Sequence, residues 1–158
     1  MFPEMSEQEI QLLNNFSILS PENQKEYHNY LRYILLKQYR AEMHSQVLSN
    51  PLLFKGLKQA LLMCEREDTQ VEEIMQKVKQ TKYMYHQLVE KVYFKYADAL
   101  DDFPLNDFVI DWGRIGFENV AEAACNEQKD MIRSELEEMI HGYNRMTKKQ
   151  DKRRIVAV

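Results

Sequence analysis

The sequence predicts an all-α protein, and three observations lead to that fold class. Apolar residues recur at spacings of three and four over most of the chain, which is the period of an amphipathic helix. Only four glycines and four prolines occur in 158 residues, so there is little material for the tight turns of β-hairpins. Several helix starts carry cap residues. We therefore expect a single-domain bundle of about five helices, two of them long and central.

The first two helices are predicted from their N-caps. Ser6 and Glu9 form an S-x-x-E capping box, in which each residue hydrogen bonds to the backbone of the other. This box predicts a short helix over residues 7–18. A serine–proline pair at 20–21 is typical of an N-cap followed by a first helical turn. It opens the first long helix, over residues 20–49.

The next two helices have the same kinds of start. An asparagine–proline pair at 50–51 predicts a third helix, which ends at the charged run 65–68. Thr69 and Glu72 form a second capping box, and apolar residues then alternate in steps of three and four over three heptads. The second long helix is therefore predicted over residues 69–97.

The last third of the chain holds a loop and a final helical region. The stretch "DALDDFPLNDF" interrupts the apolar period with acidic residues and proline, so it is predicted to be the main loop. Helical spacing returns over residues 105–146, where Gly113 and Gly116 leave open whether the region is one bent helix or two. Residues 1–146 form the predicted helical domain, and residues 147–158 a basic, flexible tail.

Composition and charge narrow the function. The net charge of −4 argues against attraction of the whole surface to nucleic acid. The two cysteines are isolated, which favours a reducing compartment. The chain begins without the features of a signal peptide, and no apolar run approaches the roughly 20 residues of a membrane span. We expect a soluble cytoplasmic protein that makes no membrane contact.

The motifs of common enzymes are absent from the sequence. It contains no G-x-S-x-G, no G-x-G-x-x-G and no Walker loop. Glu138 and His141 form one E-x-x-H unit, but a helical di-iron site needs two such units and two further glutamates. The aspartates between 98 and 111 lack the spacing of an EF-hand. The sequence therefore predicts a protein that is not an enzyme and has no cofactor.

The first long helix carries two apolar stripes, whereas a surface helix of a small bundle needs one. The first stripe is predicted to face the core of the same chain, and the second to contact another chain in a homodimer. The first stripe contains Tyr27, Tyr30, Leu31, Ile34 and Leu35. The second contains Tyr33, Leu36, Tyr39, Met43 and Val47, and the residues predicted for the interface are Tyr33, Leu36, Tyr39 and Met43.

Two other functions remain open at this point. A helical DNA-associated regulator would use the cations of the tail, because phosphate contacts need lysine and arginine. These cations are Lys148, Lys149, Lys152, Arg153 and Arg154. A small-molecule sensor would instead hold its ligand in an apolar pocket among methionine, phenylalanine and tyrosine side chains.

The run "LSPENQKEYHNYLRYILLKQYRAE", residues 19–42, resembles a segment of the phage-repressor-like helix-turn-helix regulators of Gram-positive bacteria. In those proteins the segment follows the DNA-binding domain and serves oligomerisation. No such domain precedes the run in this sequence. The resemblance therefore implies a bacterial or phage protein that acts through helix pairing, on a transcription regulator or another protein. Our leading prediction is a non-enzymatic regulatory or adaptor protein.

Overall fold

The computed structural model describes the backbone of residues 3–101 and 103–156, and their side chains up to residue 149. Within these residues the chain forms six α-helices and no strand, so the predicted all-α class is confirmed with one helix more than expected. The helices are α1 (Glu7–Ile18), α2 (Pro21–Leu48), α3 (Pro51–Glu65), α4 (Val71–Tyr96), α5 (Phe108–Cys125) and α6 (Lys129–Val156).

The caps predicted for the first three helices are confirmed. The backbone N–H of Ser6 donates to the Glu9 carboxylate at 2.7 Å, and the N–H of Glu9 donates back to the Ser6 hydroxyl at 3.3 Å. The hydroxyl of Ser20 accepts from the N–H of Asn23. The side chain of Asn50 accepts from the first two free N–H groups of α3. These side chains satisfy donors that have no partner inside the helix.

The capping box predicted at Thr69 is wrong. Helix α4 begins at Val71, with Gln70 at the N-cap position and no side-chain hydrogen bond to the helix end. The N–H of Thr69 instead donates to the carbonyl of Arg66 at 3.4 Å, which places Thr69 in the turn after α3. The turn that joins the two helices therefore takes the residue that the local motif assigned to the cap.

The final helical region consists of two helices, and its glycines do not separate them. Helix α5 continues through Gly113 and Gly116, and the chain breaks at residues 126–128. Glu127 there has a left-handed backbone, with φ at 52°. A Cβ atom at Gly113 would lie 2.1 Å from Cζ of Tyr85, so this glycine lets α4 and α5 approach closely.

The core is enclosed by α3, α4, α5, α6 and the C-terminal half of α2. Helix α4 packs against α2, α3 and α5, and it is central as predicted. Helix α2 is central over part of its length only, because all of its buried residues lie between Tyr39 and Leu48. The pairs α5–α6 and α3–α6 close the other side of the bundle.

Residues 7–38 form an arm, which consists of α1 and the first part of α2. No residue of α1 is buried, and none of α2 before Tyr39 is buried. The two helices of the arm meet through the ring of Phe16, which lies 5.5 Å from the ring of Tyr27 and 5.1 Å from that of His28. The arm is thus a helical hairpin that contributes no buried residue to the bundle.

Candidate interaction surface

The arm exposes a large amount of apolar surface. Between residues 5 and 34, nine large apolar side chains are exposed, more than in all the other described residues together. Exposed apolar side chains in this concentration mark sites of protein contact, whereas scattered ones do not. The nine are Met5, Ile10, Leu12, Leu13, Ile18, Tyr30, Leu31, Tyr33 and Ile34.

The two stripes of α2 are placed in the opposite way from the prediction. Positions nine residues apart lie on opposite sides of a helix, because nine residues make about two and a half turns. Tyr30 and Ile34 of the first stripe are 63% and 41% exposed, whereas Tyr39 and Met43 of the second stripe are fully buried. The stripe expected in the core faces outward, and most of the stripe expected at an interface lies in the core of its own chain.

The four predicted interface residues therefore separate. Tyr33 is 61% exposed and Leu36 is half-buried against the core. The hydroxyl of Tyr39 donates to the carbonyl of Leu105 at 2.9 Å, in the connection between α4 and α5. Tyr39 and Met43 are core residues of the single chain because α4 and this connection cover them, which corrects their assignment to an interface.

Polar contacts hold α2 in place where the arm leaves the bundle. The Glu42 carboxylate accepts from the Tyr96 hydroxyl at 2.7 Å and from Lys95 Nζ at 2.9 Å. These two hydrogen bonds, that of Tyr96 first, lower the pKa of Glu42 below its usual range. On the neighbouring side of α2, Arg32 pairs with Asp101 at 3.4 Å. Side chains from α4 and the following loop thus fix the direction of the arm.

Charge is unevenly distributed along the arm. The segment from residue 3 to the end of α1 carries three glutamates and no lysine or arginine. Residues 25–40 of α2 carry four cations against one glutamate. The arm therefore has an acidic first helix and a basic second helix, with apolar side chains on both. The charged residues are Glu4, Glu7, Glu9, Lys25, Glu26, Arg32, Lys37 and Arg40.

The basic segment at the end of the chain continues α6. The backbone is helical to Val156, and the side chains of Lys148 and Lys149 are exposed. The side chains of Lys152, Arg153 and Arg154 lie outside the described residues. Contact of this segment with DNA stays a prediction.

The other sequence motifs have structural partners. Glu138 pairs with Arg145 at 3.1 Å, while His141 is exposed. Burial raises the pKa of the Cys64 thiol, which lies in the core. Among the described side chains, no three His, Cys, Asp or Glu residues are grouped so that they could hold a metal ion. None of the described helices combines the length and the apolar character that a membrane span requires.

The apolar residues of α1 were missed by the sequence reasoning. The short helix was predicted over the correct residues, but it was expected to be an ordinary amphipathic helix. The available signal was that Leu12 and Leu13 are adjacent and Ile10 and Ile18 lie nearby, so the apolar side chains spread around more than one face. No protein-family model, curated protein or solved structure matches the chain.

Proposed function

We propose that the protein is a non-enzymatic regulatory or adaptor protein that acts through helix-mediated contact, and that its arm pairs with the arm of a second copy. One observation carries the proposal. The arm is well-formed helix with defined caps, yet it exposes more large apolar side chains than the rest of the described chain. Burial of apolar surface drives most protein association, so this hairpin is suited to contact another protein.

The charge distribution favours a second copy as the partner. In a two-fold pair the same surface meets itself, so a residue at one end of the arm contacts the other end of its partner. The acidic α1 of one copy then lies against the basic part of α2 in the other copy. A surface with both signs on separate helices is complementary to itself in this arrangement.

The size of the arm is adequate for a stable interface. Helix α1 has 12 residues and is about 18 Å long, while residues 21–38 of α2 span about 27 Å. Specific interfaces bury roughly 800 Å² per partner and involve about 20–30 residues on each side. An arm of this length supplies that number of residues without any contribution from the bundle.

The resemblance of residues 19–42 supports a regulatory role. That run covers the part of α2 that lies in the arm, and in the helix-turn-helix regulators the similar segment serves oligomerisation. Pairing with a transcription regulator of that kind would use the same helix faces as self-pairing. Self-association and contact with such a regulator would then compete, which is a simple means of regulation.

The experiment compares two double variants by sedimentation velocity over a range of protein concentrations. The first is Tyr30→Glu with Ile34→Glu, on the exposed side of the arm. The matched control is Tyr83→Glu with Phe94→Glu, at positions 65% and 70% exposed on α4. We expect the wild type and the control to sediment with twice the monomer mass of 19.0 kDa, and the arm variant to sediment as a monomer.

Two outcomes contradict the proposal. A wild-type protein that stays monomeric at high concentration has no self-pairing arm. A dimer that survives the arm substitutions but is lost in the α4 control has its interface on α4. Circular dichroism of each variant checks that its helix content is unchanged, because charged substitutions at exposed positions are expected to leave the fold intact.

A further inference from the structure

A cavity of about 380 Å³ lies between the C-terminal half of α2 and the helices α5 and α6. Its size is that of a site for a small organic molecule. Much of its lining is apolar, with the two aromatic rings of Phe108 and Trp112, the bare backbone of Gly142 and the thioether of Met146. The polar side chains that reach it are His44, Arg145 and Lys149.

The aromatic wall is fixed by contacts within the chain. The indole Nε1–H of Trp112 donates to the carbonyl of Met139 at 2.9 Å, so the polar group of this ring is already satisfied. A Cβ atom at Gly142 would lie 2.9 Å from Cδ1 of Trp112, which is too close. The glycine therefore leaves space for the indole ring beside α6. An aromatic ligand would meet a surface that does not need to rearrange.

The histidine wall is also held in place. Nε2 of His44 lies 3.0 and 3.1 Å from the two carboxylate oxygens of Asp107, and the His44 ring contacts the ring of Phe108 edge-on at 4.4 Å. Asp107 also caps α5 by accepting from the N–H of Val109 at 2.9 Å. Asp107 does not line the cavity, and these donors offset its negative charge.

The remaining charge at the cavity is positive. Arg145 and Lys149 are one turn apart on α6 and lie on the same face of that helix. Arg145 shares its charge with Glu138 at 3.1 Å, in a pair whose side chains are 67% and 68% exposed. Within the described part of the chain, no acidic side chain pairs with Lys149. An anion entering the cavity is therefore attracted to this side.

We infer that this cavity binds a small aromatic carboxylate. Its ring lies against Phe108, Trp112 and Met146, since thioethers and rings both contact aromatic faces favourably. Its carboxylate is held by Arg145 and Lys149, because a guanidinium matches the geometry of a carboxylate and an ammonium adds a second charge. The site is separate from the arm and does not depend on self-association.

The chain contains its own probe for this site, because Trp112 is its one tryptophan. The Nε1–H group of Trp112 gives a single indole signal in a ¹⁵N–¹H NMR spectrum, which is followed during titration. The test ligands are cinnamate, its neutral amide cinnamamide and the cation cinnamylamine. We expect cinnamate to shift the signal saturably, with an affinity roughly three- to tenfold higher than that of cinnamamide. Cinnamylamine is expected to bind more weakly than both.

Variants identify the groups that hold the carboxylate. Arg145→Gln with Lys149→Gln should lower the affinity for cinnamate to that for cinnamamide and leave cinnamamide binding unchanged. Lys148→Gln, next to the cavity residue but outside its lining, is the matched control and should change neither. Glu138→Gln releases Arg145 from its ion pair and should raise the affinity for cinnamate, an effect opposite to that of the double variant.

Three results would overturn the inference. The first is an indole signal that does not move with any of the ligands at millimolar concentration. The second is a cinnamate affinity that the loss of both cations leaves unchanged. The third is equal binding of cinnamate and cinnamylamine, since a site without charge preference is a general apolar cavity. Thermal melts of each variant, compared with the wild type, establish that the fold is intact in the titrations.

Discussion

At the scale of single residues, buried aromatic side chains with a polar group join the helices to one another. Each donates its hydroxyl or indole hydrogen to a backbone carbonyl of another part of the chain, so no polar group is left unpaired in the core. The pairs are Tyr39 with Leu105, Tyr85 with Ile110, Tyr143 with Leu48 and Trp112 with Met139. These bonds fix the relative positions of helices that apolar packing alone would leave free to slide.

The buried Tyr39 makes stability sensitive to alkaline pH. Burial, and then the charge of Asp107, raises the pKa of Tyr39 from 10.0 to about 12. Because the folded state holds this proton more tightly than the unfolded state does, the contribution is complete below pH 10.0 and is lost as the pH rises towards about 12. We expect the free energy of unfolding to fall over this window, on the order of 2 kcal/mol from this group.

The Tyr39→Phe variant separates this titration from general alkaline unfolding. It retains the ring, but it removes the ionising hydroxyl and leaves the carbonyl of Leu105 without this donor. We expect it to be about 1 kcal/mol less stable than the wild type near neutral pH. Its stability should then fall less steeply between pH 10.0 and 12, as measured by denaturant titration at each pH. Equal slopes for the two proteins would refute the role given to Tyr39.

Gly113 is required by the ring of Tyr85. Alanine is favoured over glycine within a helix by about 1 kcal/mol, so Gly113→Ala would stabilise an isolated α5. In the folded chain the new methyl group would lie 2.1 Å from Cζ of Tyr85, and we expect a net loss of about 1–3 kcal/mol or more. Denaturant unfolding measures this loss.

A second substitution tests the physical cause. Tyr85→Leu removes the ring that the methyl group would strike, so Gly113→Ala should cost less in this background than in the wild type. The difference is the coupling energy of a double-mutant cycle, expected to be 0.5 kcal/mol or more. Additive effects would mean that the glycine is needed for another reason. Asn119→Ala, at an exposed position of α5, is the control for changes in helix propensity.

At the scale of helices, the sequence predicts what depends on local chemistry. Caps act within three residues, so the boundaries of α1, α2 and α3 were predicted from Ser6, Ser20 and Asn50. The break at Glu127 had no such signal, because the sequence near it contains neither glycine nor proline. Period also identifies stripes, but it does not say which stripe its own chain will cover. That choice depends on contacts between α2 and α4, whose partners are distant in sequence.

The pocket was beyond sequence reasoning for the same reason. His44 and Asp107 are 63 positions apart, and only the packing of α2 against the start of α5 brings them together. Arg145 and Lys149 were visible as neighbours on one helix face. Their position beside Trp112 was not visible, since it depends on the close approach of α5 to Gly142.

The two sides of α2 predict opposite effects of truncation. Met43 is fully buried, so Met43→Ala should lower the free energy of unfolding by about 2–5 kcal/mol and leave self-association unchanged. Ile34 is 41% exposed, so Ile34→Ala should change monomer stability by about 0.5 kcal/mol or less. It should instead weaken the dimer. Unfolding at low protein concentration and sedimentation at high concentration measure the two effects separately, and a reversed pattern would restore the interface predicted from sequence.

At the scale of the whole molecule, folding and association use different surfaces. The bundle buries its core without the arm, and the arm places its apolar side chains where no other part of the described chain covers them. A dimer formed through the arm is then more stable at higher concentration, because association draws the folded state forward by mass action. The melting temperature should rise with concentration in the wild type and stay constant once pairing is lost.

The charge distribution of the arm gives the final prediction. Glu4→Lys with Glu7→Lys makes α1 basic, so that it repels the basic part of α2 in a second copy. Each contact occurs twice in a two-fold dimer, and we expect the dissociation constant to rise roughly tenfold at low salt. Adding Lys25→Glu with Lys37→Glu exchanges the signs and should restore pairing. High salt should reduce all these differences, because it screens exposed charges.

The matched control addresses the helix itself. Glu7 lies in the first turn of α1, where a negative charge stabilises the helix dipole, so its reversal weakens α1 by a few tenths of a kcal/mol. Glu72→Lys with Glu73→Lys makes the same change in the first turn of α4, outside the arm. If this control weakens the dimer as much as the reversal in α1 does, charge pairing between arms is refuted. If only the reversal in α1 weakens it, and the exchanged variant recovers, the acidic helix contacts the basic helix of its partner.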